Sequence, residues 1–448
     1  MEISAKQRWW YYLAGVRDGL YCIFMLFMPF TQALTFNLGF PLKFSELALF
    51  LLAFLYLTMQ RRVKIPRPVI FVVAFLFFTV TLSVLVNLFW DYHYALRSFE
   101  TRFGYAGDSI ARYVYFVLAL LSFFICVDIF TENPRRYIRF WLYGALAAAA
   151  YAWYLSVFSF LRLPVHLLPG TPPEGPQIIP FLHRNVIRCG TFLEGNMMGL
   201  YLIVSASLAF YIRKYRTGIF LLASVVTTLS TLGMVAVLVF VLIFLQRVIF
   251  QRKNLVYLVP AAAILGIAFY FFSRTTIYEQ YIYKKLLAKT ERVSDNTAYS
   301  KADRLFNIRD AYGMGMGNPV LGVGLANYSR HYDHYMDKSA FDTAFVRHMI
   351  RKGTRVIPNS IYLEVWAESG GIALLLFLVF LGMLFYFSRT DTTKAILPGL
   401  VCMILCFSAY PSFIMIYIWC FAAFPVADYI RHSRQLSNGS SSPISPSL

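Results

Sequence analysis

The sequence predicts an all-α polytopic membrane protein with about twelve transmembrane segments and one large helical loop. Three observations predict it. Of 448 residues, 59% are hydrophobic and only 14% charged, far from the balance of a soluble domain. The apolar residues gather into runs able to cross a hydrocarbon core of ~30 Å. Lys and Arg cluster in the short connections between runs, as positive-inside topology requires, and one long polar segment, Ser273 to Asn359, stands apart.

The N-terminus, MEISAKQRWWYYLAGVRDG, is basic and aromatic. No small-residue cleavage site follows the first apolar run, so that run reads as a retained anchor. Apolar runs occupy Leu20 to Leu38, Phe44 to Met59, Val69 to Trp90, Tyr113 to Phe130, Phe140 to Leu161, Met197 to Ile212, Leu255 to Phe272, Ile372 to Phe387, Ala395 to Phe413 and Ile414 to Ile430. Ile219 to Gln246 is different. It is uncharged, and as one helix it would reach ~42 Å at 1.5 Å per residue, too long for one span and short for two. Arg213, Lys214 and Arg216 precede it, and Arg247, Arg252 and Lys253 follow. Both clusters belong on the inner side, so the segment is expected to enter and return as a hairpin of two short helices turning near Ser230 to Gly233.

The same parity places both termini, Arg61 to Arg67 and Arg135 to Arg139 inside, and 91–112, 162–196 and 273–359 outside. The expected organisation is a bundle over 1–272 (spans one to nine, with the hairpin 219–246), a helical loop domain over 273–359, spans ten to twelve over 360–430, and a disordered inner tail over 431–448.

A net charge of +19 raises nucleic acid as a partner, but basic flanks beside membrane spans account for part of it. The rest sits in the outer loop, where topology does not require it, and suggests an anionic ligand carried by lipid. The six cysteines show no disulfide or metal spacing, so redox chemistry is not indicated. Within the loop, Thr276 to Glu291 reads as an amphipathic interfacial helix, and Ser300 to Tyr312 as a second helix with Ser300 as N-cap and Asp303 at the capping-box position. Gly313 to Gly324, GMGMGNPVLGVG, fails the dinucleotide spacing and lacks a Walker lysine, so it reads as a turn-rich joint. No D-x-D pair occurs, and the lone H-x-x-H of His331 and His334 reads as a surface pair, so no metal is expected. The segment RVIPNSIYLEVWAESGG, Arg355 to Gly371, then leads this basic loop into an apolar run, carrying Glu364 and Glu368 on one helix face.

Three motifs in this order carry a family resemblance. They are Arg188-Cys-Gly-Thr-Phe-Leu-Glu-Gly-Asn; Arg304-Leu-Phe-Asn-Ile-Arg-Asp-Ala-Tyr followed by Asn318-Pro-Val-Leu-Gly-Val-Gly; and Pro358-Asn-Ser-Ile-Tyr-Leu-Glu-Val-Trp-Ala-Glu-Ser-Gly. The chain resembles the superfamily of O-antigen ligases and Wzy-type polysaccharide polymerases. The resemblance implies a GT-C-like glycosyltransferase of the bacterial inner membrane with its active site on the periplasmic face. Such an enzyme moves an oligosaccharide from undecaprenyl pyrophosphate to an acceptor glycan among membrane lipids, with a chain-length regulator as a candidate partner and no cofactor. Ligases of the family usually carry a histidine where this chain has Asn359-Ser360, and a Ser-Arg pair where it has Ser230-Thr231. The polymerase is therefore the preferred reading, ahead of a ligase and of a transporter for the same lipid-linked sugars.

A lipid pyrophosphate is already a good leaving group, so the protein must chiefly hold its phosphates and orient an acceptor hydroxyl. Arginine suits this, because its fork binds phosphate oxygens bidentately and each charge-assisted bond contributes roughly 1.5–3 kcal/mol. The resemblance selects Arg188 and Arg304 for the pyrophosphate; position at span ends adds Arg184 and Arg274. Acid–base candidates are Glu364, Glu368 and His348, with Asn359 at the motif position, and Tyr328, Tyr332 and Tyr335 are candidates to stack on sugar rings.

Overall fold

The computed structural model describes residues 5–37, 41–59, 64–90, 92–97, 104–171, 176–249, 296–336, 356–389, 392–410 and 412–439, with scattered positions between 260 and 283. Among them, four helices are long and apolar enough to cross a membrane: Arg67–Phe89 (α3), Gly104–Glu132 (α4), Pro134–Phe160 (α5) and Ile361–Phe387 (α11). Shorter apolar helices are Phe44–Thr58 (α2), Gly195–Tyr211 (α6), Thr231–Ile249 (α8) and Leu397–Cys406 (α12). The fold is that of a helical membrane protein. Most of Leu255 to Phe272 and of Thr276 to Glu291, and all of His348, lie outside the described residues.

Helix α3 illustrates why these are membrane helices. Val69, Val73, Leu76, Val80 and Val84 are buried, whereas Phe71, Phe75, Phe78, Leu82, Leu85 and Phe89 form an exposed stripe on the opposite face. Both faces are apolar, so the exposed one suits lipid rather than water. Helix α6 is apolar all round and enclosed by α5, α8, α12 and Tyr215–Ser224 (α7), with every residue from Met197 to Phe210 buried. Helix α5 starts with Pro134 in its first turn and Asn133 as N-cap, whose side chain accepts from the Arg136 amide at 3.2 Å.

Some boundaries differ from the hydropathy reading. The first helix, Ala5–Phe27 (α1), ends well before Leu38, because Thr35–Asn37 (β1) pairs antiparallel with Pro41–Lys43 (β2) in a short hairpin before α2. In the uncharged stretch 219–246 the chain breaks through a 3₁₀ turn, Val225–Thr228, and left-handed Leu229 (φ 46°) before α8 begins. The last helix, Ile416–Gly439 (α13), continues past Ile430, so 431–439 is helical rather than disordered.

The glycine-rich stretch is also more helical than expected. Asn296–Gly317 (α9) includes Ser300 in its interior and runs through Gly317, so Ser300 is not its N-cap. The turn that follows, 318–327, docks on a break in α11. Gly370 there has φ 86° and ψ 172°, a region essentially reserved for glycine, and a Cβ on it would meet the Val320 carbonyl. The break frees backbone groups that the turn satisfies: Val323 and Gly324 amides donate to the Ala367 and Glu368 carbonyls at 2.9 and 2.8 Å, and the Gly371 amide donates to Pro319 at 2.7 Å. From α3, Ser83 donates to the Glu368 carbonyl at 3.0 Å and Asn87 to the Gly322 carbonyl at 3.2 Å. Non-helical backbone at a span end is tolerated because protein covers it.

Candidate functional site

Ile178–Phe181 (β3) and Arg184–Ile187 (β4) form a hairpin whose two loop residues, Leu182 and His183, both have positive φ, as a type I′ turn requires. Its register continues one step further. The Arg188 amide donates to the Gln177 carbonyl at 3.0 Å, and Arg188 Nε donates to Gln177 Oε1 at 2.9 Å. The chain then turns through left-handed Cys189 and Gly190, so Glu194 becomes the N-cap of α6. Hairpin and turn thus fix Arg188 and Glu194 at one mouth of the bundle.

The break before α8 meets them there. Arg188 Nη1 donates to the Thr228 and Leu229 carbonyls at 3.3 and 3.4 Å. These carbonyls end a helical turn, where a cation is favoured. Ser230 Oγ donates to Asn196 Oδ1 at 2.5 Å and accepts from the Gly233 amide at 3.1 Å, tying the break to the Arg188 motif. Gly195 is needed for this approach, since a Cβ on it would stand 2.5 Å from the Thr228 carbonyl.

Arg304, on α9, completes the cluster. Its charge acts on both Arg188 and Glu194. Burial, and then the like charge of Arg304, lower the Arg188 pKa, with Cys189 and Glu194 opposing. Burial raises the Glu194 carboxyl, with Arg304 and Arg188 pulling the other way. Arg304 itself is exposed. Two positive charges therefore act on one carboxylate near the head of α6, an arrangement that an added anion would relieve.

The two arginines chosen by position at span ends lie elsewhere: Arg184 sits over the Phe160 ring and Arg274 over Tyr270, at 6.0 and 5.3 Å from the ring centroids. Glu364 is buried and occupied. It accepts from Arg112 of α4, and from the Ser412 and Phe413 amides at 2.8 and 3.0 Å. Glu368 is also buried, next to the α11 break, while Asn359 is half-buried just before that helix.

The tyrosines need correction. Tyr328 and Tyr332, on Tyr328–Tyr335 (α10), are 1% and 0% exposed, and their hydroxyls donate to Asn307 at 2.9 and 3.1 Å. They pack α10 on α9, so no sugar can stack on them. Tyr335 is half-buried and accepts from Asn318 Nδ2 at 2.7 Å. His331 is fully buried rather than at the surface, with Nδ1 2.7 Å from the Tyr94 hydroxyl. His334 is exposed and stacks on Tyr94 with centroids 3.7 Å apart.

Glu194, Asn196 and Arg112 were not singled out from sequence. The first two stand inside the quoted Arg188 motif, which was their available signal; Arg112 meets Glu364 across 252 positions and gave none. Among the described residues no group of three or more His, Cys, Asp and Glu gathers as metal ligands would.

No curated protein matches the chain. Residues 217–378, from α7 through the break in α11, match the model of the O-antigen ligase family, which covers the hairpin tip and Arg304 but not Arg188. The family supports a ligase- or polymerase-type, glycosyltransferase-like enzyme acting on lipid-linked glycans at a membrane. Over that segment, which is less than half of the chain, the protein is similar to the O-antigen ligase family.

Proposed function

We propose that the protein is a Wzy-type polysaccharide polymerase of the bacterial inner membrane. It transfers oligosaccharide from undecaprenyl pyrophosphate to an acceptor repeat unit at the periplasmic face. The observation that carries this reading is that the hairpin and the break before α8 hold Arg188 by hydrogen bonds at the head of α6, where Glu194 is the cap and the charge of Arg304 also acts. The excess of positive charge suits an anionic ligand, and a pyrophosphate both relieves the repulsion between the arginines and gains charge-assisted bonds as the glycan departs. These arginines are taken to stabilise the leaving group without a metal.

In the proposed step the acceptor hydroxyl oxygen attacks the anomeric carbon of the donor. A new glycosidic C–O bond forms, and the C–O bond to phosphate breaks with its electron pair leaving on undecaprenyl pyrophosphate. The hydroxyl proton passes to Glu194, whose burial-raised pKa suits a general base. Glu364, with both oxygens occupied, serves instead to hold α11, α4 and the 412–413 turn together.

A second reading is a ligase that transfers the glycan to lipid A core, favoured by the description of the matched family as O-antigen ligase. Incubating purified protein with lipid-linked repeat units, with and without lipid A core, separates the two. Ladder formation without core supports the polymerase, whereas transfer only onto core replaces it with the ligase. Loss of activity on chelation, with rescue by magnesium, would overturn the metal-free mechanism.

A further inference from the structure

A cavity of about 350 Å³ lies between the start of α2, the first turns of α4 and the 412–417 stretch. That is at the small end of ligand sites, ~300–1,000 Å³. Its polar wall holds Lys43, Glu46, Asp108 and Arg112. Lys43 Nζ lies 2.5 Å from Glu46, which is 1% exposed, and Lys43 also sits over the Tyr115 ring. Asp108 accepts from Arg330 at 3.2 Å. Arg112 gives Nη2 to Glu364 and lies 3.4 Å from Ser412 Oγ, while its Nε is buried with no acceptor. The rest of the lining includes the apolar Met28, Ile414 and Met415.

Two cations and two carboxylates line this space, so it lacks the positive excess that a pyrophosphate needs. Interleaved donors and acceptors together with apolar side chains instead match a sugar ring, with hydroxyls at its rim and C–H groups on its face. The buried Arg112 Nε is a donor with no acceptor, and a ligand oxygen would satisfy it. The cavity also borders the arginine site. Tyr417, in its wall, donates to the Met197 carbonyl at 3.1 Å, and Thr31, also in its wall, donates its amide to the Thr191 carbonyl at 3.1 Å. Thr191 lies inside the Arg188 to Asn196 motif and Met197 directly follows it.

We propose that this cavity is the subsite for the acceptor glycan's terminal sugar, held by Lys43, Glu46, Tyr115 and Arg112. A donor's first sugar is bonded to phosphate and so must lie at Arg188 and Arg304; a separate neutral cavity beside them suits the second glycan. This rests on the glycan-transfer reading above.

The test uses purified full-length protein and two probes: oligosaccharide released by mild acid from the cell's own lipid-linked repeat units, and undecaprenyl pyrophosphate. Glu46→Gln and Tyr115→Phe should each weaken oligosaccharide binding at least ten-fold while undecaprenyl pyrophosphate binds as to the unaltered protein. Tyr115→Phe removes only one oxygen, so it retains the test if Glu46→Gln folds poorly. If Tyr115→Phe binds the oligosaccharide as the unaltered protein does, or if the unaltered protein does not bind it, the subsite is wrong. Polymer formation by the unaltered protein, measured in parallel, shows whether the transfer reading stands in either case.

Discussion

At one end of the bundle Arg17 donates to Asp18 and Glu132 at 2.8 and 2.9 Å, and Arg136 donates to the other oxygen of Asp18 at 3.2 Å. Two cations and two carboxylates close on one another. At the other end, the charges of Arg188 and Arg304 both act on the single carboxylate Glu194. Yet that same end also holds Arg112 and Glu364, a closed pair. The difference teaches that charge density does not mark an anion site; an excess of one sign does. Balanced clusters hold helices together, and Arg304, exposed beyond the charges of Arg188 and Glu194, leaves positive charge to bind an anion.

The comparison can be broken by substitution. Arg112→Ala should have the largest effect on stability, about 3–5 kcal/mol, because it leaves the Glu364 carboxylate buried and uncompensated. Detergent-solubilised thermal or denaturant unfolding reads this directly, and a loss below about 1 kcal/mol would mean that the pair is not a closed structural one. Gly370→Ala should cost roughly 1–3 kcal/mol, because φ 86° is strained for any side chain and the turn at Val320 leaves no room for one. A variant that unfolds like the unaltered protein would show that the break in α11 is not held by this turn.

Acid should loosen the same end. Burial, and then the nearby charges of His334 and Arg330, push His331 down to about 4 from 6.5, with the Tyr94 hydroxyl on its ring nitrogen and Tyr92 packed edge-on. Between those values the unfolded chain binds more protons than the folded one. Stability therefore falls as pH drops below 6.5, by roughly 2 kcal/mol at pH 5. Unfolding measured at pH 7 and pH 5 should show this loss, and His331→Gln should flatten it; an equal pH dependence in both proteins would refute the assignment. Smallest of all, Arg136→Ala at the closed end should cost no more than about 1 kcal/mol, since the side chain is half exposed, and leave the transfer rate unchanged. A large rate loss there would erase the distinction between the two ends.

Hydropathy made the helical membrane class legible, and charge placement exposed the anomaly of 219–246. The left-handed residue that breaks that stretch, Leu229, was not legible, because leucine carries no turn signal and the bonds around it are long-range: its carbonyl accepts from Arg188, and its neighbour Ser230 donates to Asn196. Apolar runs also concealed helix ends: α1 stops at Phe27 although apolar residues continue toward Leu38, since hydropathy reports burial or lipid exposure and not backbone continuity. Arg188 and Arg304 were legible through their motifs. Glu194 was not, because only the fold brings Arg304 of α9 to the head of α6 and turns a helix cap into the shared carboxylate. Tyr328, Tyr332 and His331 misled for the opposite reason. A polar, aromatic segment resembles a binding surface until Asn307 and Tyr94 are seen to satisfy it internally.

The most direct measurement of the central claim is equilibrium binding of undecaprenyl pyrophosphate to the unaltered protein and to Arg304→Ala, with melting temperature recorded on both. Arg304 is exposed, so its removal should leave the melting temperature unchanged while weakening binding at least ten-fold, about 1.4 kcal/mol. Equal affinity in the two proteins would contradict the account.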